Sequence, residues 1–167
     1  AVAARRTLAL HRAAFAARGL DAAFSRVIAV VVQPGVDFGN AQIMAYDSPR
    51  AADLAAAAPA LDGPLYEAHS TDYQSEAALA ALVQDHFVIL KVGPELTFAF
   101  RQAVMALERL EELMVLPPSG VTAALLAAMR ARPADWRAYV PPGPDEERLM
   151  LYGLSDRLRY YWPEQGV

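Results

Sequence analysis

The sequence contains no cysteine. Disulfide bonds, thiolate metal sites and cysteine nucleophiles are therefore excluded, and this composition suits a reducing cytosol. The chain also lacks an apolar run that approaches the roughly 20 residues of a membrane span, and its first residues lack the apolar core of a signal peptide. We therefore expect a soluble, cytoplasmic protein without a membrane partner.

An excess of positive charge is absent as well. Lys and Arg total 15 against 19 Asp and Glu, which gives a net charge of −4, and Lys91 is the only lysine. Nucleic acid is therefore not an expected partner. Hydrophobic residues make up 55% and charged residues 20% of the 167 positions, which excludes a disordered chain and predicts a single domain over residues 1–167.

Several motifs of nucleotide and acyl chemistry are missing. No glycine-rich loop ends in Lys-Ser or Lys-Thr, no G-x-G-x-x-G follows a strand, and no G-x-S-x-G occurs. The sequence therefore contains no motif that is typical of a P-loop kinase, a dinucleotide-binding enzyme or an α/β-hydrolase.

A strand–loop–helix pattern repeats along the first two thirds of the chain. Apolar stretches at 27–32, 65–69 and 87–92 predict three strands, and the first, rich in β-branched residues, is typical of a parallel strand covered on both faces. Ser48 and Ser75 are predicted helix N-caps. Helices are predicted over 7–17, 48–59, 75–84, a long segment from 94, 121–130, 133–139 and 145–152. Three βα units in series predict an α/β protein with a parallel sheet, followed by C-terminal helices.

The long helix that begins at Pro94 carries an apolar stripe with helical spacing. The stripe consists of Leu96, Phe100, Ala103, Val104, Leu107, Leu110 and Met114. Most charged residues of this helix, Arg101 among them, fall on the opposite side. We expect the stripe to face the core, and we expect Met105, Met114, Met129 and Met150 to be core residues.

Candidate catalytic residues lie at the end of the second predicted strand. Glu67 and His69 are two residues apart, so both side chains point to the same face, and Asp72 lies just beyond in the loop. Ligands bind at the carboxyl ends of parallel strands, so these residues can transfer a proton or bind a divalent metal, with Glu67 and His69 as the metal candidates. The alternative is a hydrogen-bonded polar layer inside the fold.

Lys91 is a further candidate, on the third predicted strand. It shares a strand face with Ile89 and Phe87, and an inward-facing lysine there would be partly desolvated, which suits a Schiff base with a carbonyl substrate. The alternative is an ion pair with a neighbouring carboxylate such as Glu67. The basic and aromatic run from Arg157 to Trp162 can hold a phosphate or a partner subunit, or it can pack as the last helix.

Four stretches of the sequence together resemble a known family. They are VQPGVDFG (32–39), YEAHSTDYQ (66–74), DHFVILKVGPELTFAFRQA (85–103) and YGLSDRLRYYWP (152–163). In this order they resemble the non-catalytic subunit of class II D-tagatose-bisphosphate aldolase. The resemblance implies a TIM (β/α)8 barrel, of which this chain would be the C-terminal part and a fragment with three of the eight strands.

The resemblance also implies a function. It predicts a chaperone-like partner subunit that supports the stability and activity of a separate catalytic aldolase subunit in the catabolism of galactitol, N-acetylgalactosamine or related sugars. Zinc is expected on that catalytic subunit and no cofactor on this chain. Some members carry a tagatose-6-phosphate kinase label. An oligomer is expected, and a sugar phosphate is a further candidate ligand.

A comparison with class II aldolases implies that this chain has lost most of their site. His69 matches a zinc-binding histidine, but Ser70, Thr71 and Asp72 replace the glycines that follow it, and 33–40 contains no second histidine. The alternative is an aldolase or sugar-phosphate enzyme in its own right. It would use a metal at Glu67, His69 and Asp72, or a Schiff base at Lys91.

Overall fold

The computed structural model describes residues 2–61, 63–114 and 117–164. The strands are β1 (Ala29–Val32), β2 (Asp37–Phe38), β3 (Ile43–Met44), β4 (Leu65–Ala68) and β5 (Ile89–Leu90). The α-helices are α1 (Val2–Ala16), α2 (Asp21–Phe24), α3 (Ser48–Ala55), α4 (Glu76–Gln84), α5 (Pro94–Leu113), α6 (Val121–Ala131) and α7 (Glu146–Tyr152). Short 3-10 helices cover Ala58–Ala60, Pro133–Asp135 and Arg157–Tyr160.

Strands β1, β4 and β5 form a parallel sheet in that order. Ala29 lies opposite Leu65, and Glu67 lies opposite Ile89. The predicted α/β class and the parallel pairing of three consecutive units are confirmed. Strands β2 and β3 pair with each other outside this sheet, in the segment between β1 and α3. They are two residues long, too short for any periodicity in the sequence.

By their internal contacts, residues 1–37 and 43–92 form one compact unit, and residues 38–42 and 93–167 form the other. The chain passes between the units at three points, which are 37/38 within β2, 42/43 at the start of β3, and 92/93 after β5. The division concerns packing within this chain, so the expectation of a single domain over residues 1–167, as part of a longer barrel, stays a prediction.

In the first unit, helices cover one face of the sheet. Val30 and Val32 of β1 and Tyr66 and Ala68 of β4 are buried in the core, together with Leu82 of α4, Ala51 of α3 and Phe87. Alternate residues on the opposite face are open, and Val31 is 51% exposed. The prediction that the first strand is covered on both faces is therefore wrong for the described residues.

Helix boundaries in the first unit agree with the capping signals in part. Helix α1 begins five residues earlier than predicted and ends before Gly19, whose φ is +67°. Ser75 caps α4 as predicted, because its Oγ accepts a hydrogen bond from the Ala78 N–H at 3.2 Å. Ser48 does not cap α3. Asp47 occupies the N-cap position, and the Ser48 hydroxyl donates instead to the Asp85 carboxylate.

In the second unit, the helices enclose a core of their own. The buried side chains are Leu125, Met129, Trp136, Val140, Met150, Leu151, Leu158 and Tyr161. Met129 and Met150 are core residues as predicted, whereas Met114 is exposed. The helix predicted over 133–139 is a 3-10 helix at Pro133–Asp135. None of the described helices is long and apolar enough to span a bilayer.

Helix α5 buries a different face from the one its apolar pattern predicts. Leu96, Phe100 and Leu107 are 68%, 56% and 61% exposed, while Arg101 is fully buried. The Arg101 guanidinium forms an ion pair with Asp156 at 2.6 Å and lies 4.2 Å from the ring centroid of Phe98. The prediction that the stripe faces the core is therefore wrong within the described residues, because a buried ion pair fixes the opposite face inward.

Candidate functional site

The carboxyl ends of the three parallel strands lie side by side at one edge of the sheet. Backbone bonds fix this edge: the His69 N–H donates to the Val32 carbonyl at 3.2 Å, and the Lys91 N–H donates to the Ala68 carbonyl at 3.0 Å. The residues that follow the strands are therefore neighbours, which is the arrangement on which the sequence-based hypothesis for Glu67, His69, Asp72 and Lys91 depends.

Glu67 and His69 meet on one face of β4. The Nε2 atom of His69 lies 3.3 Å from Oε1 of Glu67, and both side chains are partly exposed. Strand periodicity alone predicts this contact. The pair offers one imidazole nitrogen and one carboxylate, which is sufficient for proton transfer between a base and a bound molecule.

Asp72 lies in a tight loop after β4. Its side chain is buried, and the loop contains two residues with left-handed backbone, Ser70 at φ +59° and Tyr73 at φ +62°. In the described ranges, no three His, Asp or Glu side chains come close enough together to hold a metal ion. Glu67 and His69 therefore form a two-donor set, whereas zinc in proteins takes three or four protein ligands. The described residues do not fit a resident zinc ion.

Lys91 is exposed at the end of β5. One expectation was that Lys91 faces inward and is partly desolvated. Its side chain is instead exposed to solvent, because this face of the sheet is open. No ion pair joins it to Glu67 in the part of the chain that the structure describes, where Glu67 contacts His69 instead. The carbonyl of Lys91 accepts hydrogen bonds from the N–H and the Oγ1 of Thr71, at 3.2 and 2.8 Å, so it fastens the β4 loop to the neighbouring strand.

Gln74 has a structural role that the local spacing of the sequence does not predict. Its buried side chain accepts a hydrogen bond from the Tyr46 N–H at 2.9 Å and donates one to the Met44 carbonyl at 3.1 Å. The segment between β1 and α3 is thereby held against the loop after β4. The only signal in the sequence was the position of Gln74 as the last residue of the YEAHSTDYQ stretch.

Asp85 fastens the same segment from another side. Its carboxylate accepts hydrogen bonds from the hydroxyls of Ser48 and Tyr46, the latter at 2.7 Å. These bonds, that from Ser48 foremost, hold the pKa of Asp85 below its usual value. Burial, and then the bond to Asp85, raise the pKa of Tyr46 well above its usual range. Gln74 and Asp85 together therefore hold the segment between β1 and α3 in place.

The C-terminal arginines and aromatic residues are used inside their own unit. The Arg157 guanidinium lies 3.8 Å from the ring centroid of Tyr139 and donates to the Asp135 carbonyl, while Arg159 donates to the Ser155 carbonyl at 2.7 Å. Tyr161 is buried. Of the two interpretations of this run, these contacts favour packing over phosphate binding.

Comparison with known proteins identifies the family of this chain. The chain belongs to the D-tagatose-1,6-bisphosphate aldolase subunit GatZ/KbaZ-like family, whose model matches residues 1–167. The resemblance seen in the four sequence stretches is thereby confirmed.

Individual relatives agree with the family model. The chain is 47% identical over 98% of its length to the D-tagatose-1,6-bisphosphate aldolase subunit GatZ of Escherichia coli (strain SMS-3-5 / SECEC), and 48% identical to that of Salmonella enteritidis PT4 (strain P125109). It spans about 40% of the length of these curated relatives. The crystal structure of a "probable tagatose 6 phosphate kinase" from Sinorhizobium meliloti 1021 matches 97% of this chain with a TM-score of 0.88 and 47% identity, and this chain covers 43% of it.

Proposed function

We propose that this chain is part of a non-catalytic, chaperone-like partner subunit that stabilises and supports a class II tagatose-bisphosphate aldolase. The observation that carries the proposal is the family match along the whole chain. The two-donor set at Glu67 and His69 supports it, because such a set is too small for the zinc chemistry of a class II aldolase. The zinc ion then belongs to the catalytic subunit, and this chain carries no cofactor of its own.

The architecture we propose is the C-terminal part of a (β/α)8 barrel. In support, consecutive βα units pair in parallel order, and among the described residues helices cover one face of the sheet and leave the other open. The opposite face, with Val31 and Leu65 half exposed, would then line the barrel interior. The outer edges of β1 and β5 and the exposed stripe of α5 would contact strands and helices like those that make up the rest of the longer relatives.

The partner we propose is the catalytic aldolase subunit, in a cytoplasmic oligomer that acts in the catabolism of galactitol, N-acetylgalactosamine or related sugars. A sugar phosphate remains a candidate ligand at the carboxyl edge of the sheet. The names of the relatives, as aldolase subunits, support the partner, and the exposed apolar residues support association.

The test is an aldolase assay with separated components. The chain alone is expected to leave tagatose 1,6-bisphosphate uncleaved with or without added zinc. When it is mixed with a GatZ/KbaZ-dependent catalytic subunit, we expect a longer half-life of that subunit's activity and co-elution of the two chains. Cleavage by this chain alone, or an unchanged half-life without co-elution, would overturn the proposal.

A second candidate is an enzyme in its own right, and the contact between Glu67 and His69 favours it. It would be a metal-assisted aldolase or a Schiff-base aldolase through Lys91. The metal-assisted form was predicted to use Glu67, His69 and Asp72, but within the described ranges these three side chains do not come together as a ligand set, so Glu67 and His69 remain as its donors. Borohydride reduction with a keto-sugar phosphate separates the two forms, since only the Schiff base leaves a stable adduct on Lys91. Glu67→Gln and His69→Asn would abolish the metal-assisted activity, whereas Lys91→Arg would leave it unchanged.

A further inference from the structure

Six residues of helix α5 follow a stricter spacing than its apolar stripe as a whole. They recur at alternating intervals of four and three residues, so the pattern repeats every seven residues. We refer to these six residues as the seam: Leu96, Phe100, Ala103, Leu107, Leu110 and Met114. A strict repeat of this kind is typical of a helix that packs lengthwise against another helix. The spacing therefore indicates a helix as the partner of this face.

The seam is open to solvent along its whole length. Its five large side chains are each at least half exposed, and Leu96 and Met114, at its two ends, are 68% and 67% exposed. The ring of Phe100 lies edge-to-face against Trp162, with 5.2 Å between the centroids, and more than half of Phe100 remains exposed beside this contact. A contiguous apolar surface of this kind is typical of an interaction site.

Charged residues do not interrupt this surface. The row of α5 residues that borders the seam on one side is apolar too, and it consists of Ala99, Ala106 and Leu113. Exposure alone does not produce such a face. Helix α1 is also largely exposed, yet it is basic and contains Arg5, Arg6 and Arg12 and no acidic residue. A charge buried against the seam would lose its hydration without gaining an ion pair, so the matching surface of the partner must be apolar as well.

The seam is complementary to itself when two copies of α5 run antiparallel. A two-fold axis near Met105 pairs each residue of one half of the seam with a residue of the other half in the second copy: Leu96 with Met114, Phe100 with Leu110, and Ala103 with Leu107. The one small residue of the seam, Ala103, then receives a large side chain, as close packing requires. In a parallel pair, Ala103 would face Ala103 of the other copy and leave a gap. Antiparallel helix dipoles also attract each other.

We propose that the seam is the interface of an antiparallel pair of α5 helices from two copies of this chain. The interface is isologous, so one substitution changes it twice. A seam on one 20-residue helix is at the lower end of the roughly 1,200–2,000 Å² that stable interfaces bury, so the dimer forms reversibly and its population rises with protein concentration. This pairing does not depend on the proposed aldolase function. Where a longer protein covers the seam with a helix of its own, that helix takes the place of the second copy.

The test is crosslinking of the 167-residue chain, which contains no cysteine of its own. Ala103→Cys and Leu96→Cys each introduce one thiol at an exposed position of the seam, and a short bismaleimide joins thiols across an interface. In the antiparallel pair, the two thiols of Ala103→Cys are about one helical turn apart along the axis, whereas those of Leu96→Cys are about 27 Å apart, at 1.5 Å per residue. We therefore expect a covalent dimer from Ala103→Cys and at least tenfold less from Leu96→Cys.

Gln102→Cys is the matched control, because Gln102 is exposed on the same helix but lies outside the seam. It should also give at least tenfold less dimer than Ala103→Cys. Addition of Leu110→Lys to Ala103→Cys should abolish crosslinking, since an ammonium group opposes burial in an apolar contact. Circular dichroism checks that each variant is folded. Equal crosslinking of Leu96→Cys and Ala103→Cys would indicate a parallel pair, and equal crosslinking of Gln102→Cys would indicate random collision. Either result, or the absence of a covalent dimer from Ala103→Cys, would refute the proposal.

Discussion

Arg101 and Asp156 form an ion pair that is closed off from solvent on both sides. The two side chains are fully buried, their contact is 2.6 Å long, and the Thr97 hydroxyl also donates to Asp156. A buried ion pair adds little net stability, because desolvation offsets the attraction, but removal of one partner leaves the other charge buried alone. The pair therefore affects the free energy of unfolding mainly when one partner is removed.

We expect Asp156→Asn to lower the free energy of unfolding by about 3–5 kcal/mol, the usual cost of an uncompensated buried charge. Asn tolerates the left-handed backbone at this position, where φ is +43°, so the loss reports on charge and not on strain. Urea unfolding at neutral pH measures it. The exposed pair Arg130–Glu147 provides the control, and Arg130→Gln should leave the midpoint nearly unchanged. Equal midpoints for Asp156→Asn and wild type would contradict the prediction.

Asp85 makes the free energy of unfolding depend on pH in the acid range. Its carboxyl has a lower pKa in the folded chain, so its stabilising contribution is present above the unfolded-state pKa of about 3.9 and is lost as pH falls through the folded-state pKa. We expect the free energy of unfolding of the wild type to fall below about pH 4 more steeply than that of Asp85→Asn. Urea unfolding between neutral and acidic pH measures the difference. Asp53→Asn, at an exposed position, should follow the wild type. An identical acid dependence in Asp85→Asn would refute the assignment.

The contacts of single side chains were predictable from sequence only where both partners lie close together along the chain. Glu67 and His69 meet because residues two apart on a strand share a face. Asp85 and Gln74 bind partners 37 to 39 and 28 to 30 residues away in sequence. No spacing rule predicts contacts over such distances in sequence, so these hydrogen bonds became visible only in the structure.

At the scale of elements, Gln74 joins the loop after β4 to the segment that precedes α3. In Gln74→Ala the Tyr46 N–H loses its acceptor, so we expect the opening free energy of that amide to fall by about 1 kcal/mol. Amide hydrogen exchange followed by NMR measures this change. The Ala78 amide, bonded to Ser75, should keep its protection. Unchanged exchange at Tyr46 would show that the segment is held in another way.

For helix α5, the sequence predicts the position of the helix but not the face that is buried. The helical period predicted the helix and its start at Pro94 correctly. The same period predicted the wrong buried face, because the partner of Arg101 lies 55 residues further along the chain, in the loop before the last 3-10 helix. Periodicity establishes that a helix has two faces; the partners available in the fold decide which face is buried.

At the scale of the whole molecule, the exposed stripe of α5 predicts self-association of the isolated chain. Leu107 and Leu110 are at least half exposed. We expect light scattering to give a mass above 18.1 kDa, and Leu107→Lys to lower it, because a charge in an apolar contact opposes association. Gln102→Lys introduces the same charge at an exposed polar position of α5 and should leave the mass unchanged. A monodisperse monomer for the wild type would contradict the prediction.

The order of the sheet was predictable from sequence because successive βα units pair side by side with one handedness. The division into two compact units was not, because residues 38–42 group with the distant segment 93–167. Asn40 explains this grouping. Its carbonyl accepts a hydrogen bond from the Leu154 N–H at 2.9 Å, and its side chain bonds with Ser155 and with the Tyr139 carbonyl.

The basic character of α1 has a practical consequence for purification. At pH 7 the chain is above its isoelectric point of about 5.3, so net charge alone predicts that it passes through a sulfonate resin. A resin binds a patch of surface, however, and charges beyond a Debye length of about 10 Å in 0.1 M salt contribute little. Because Arg5 and Arg12 lie on one face of α1, we expect the protein to bind to cation exchangers as well as to anion exchangers at low ionic strength.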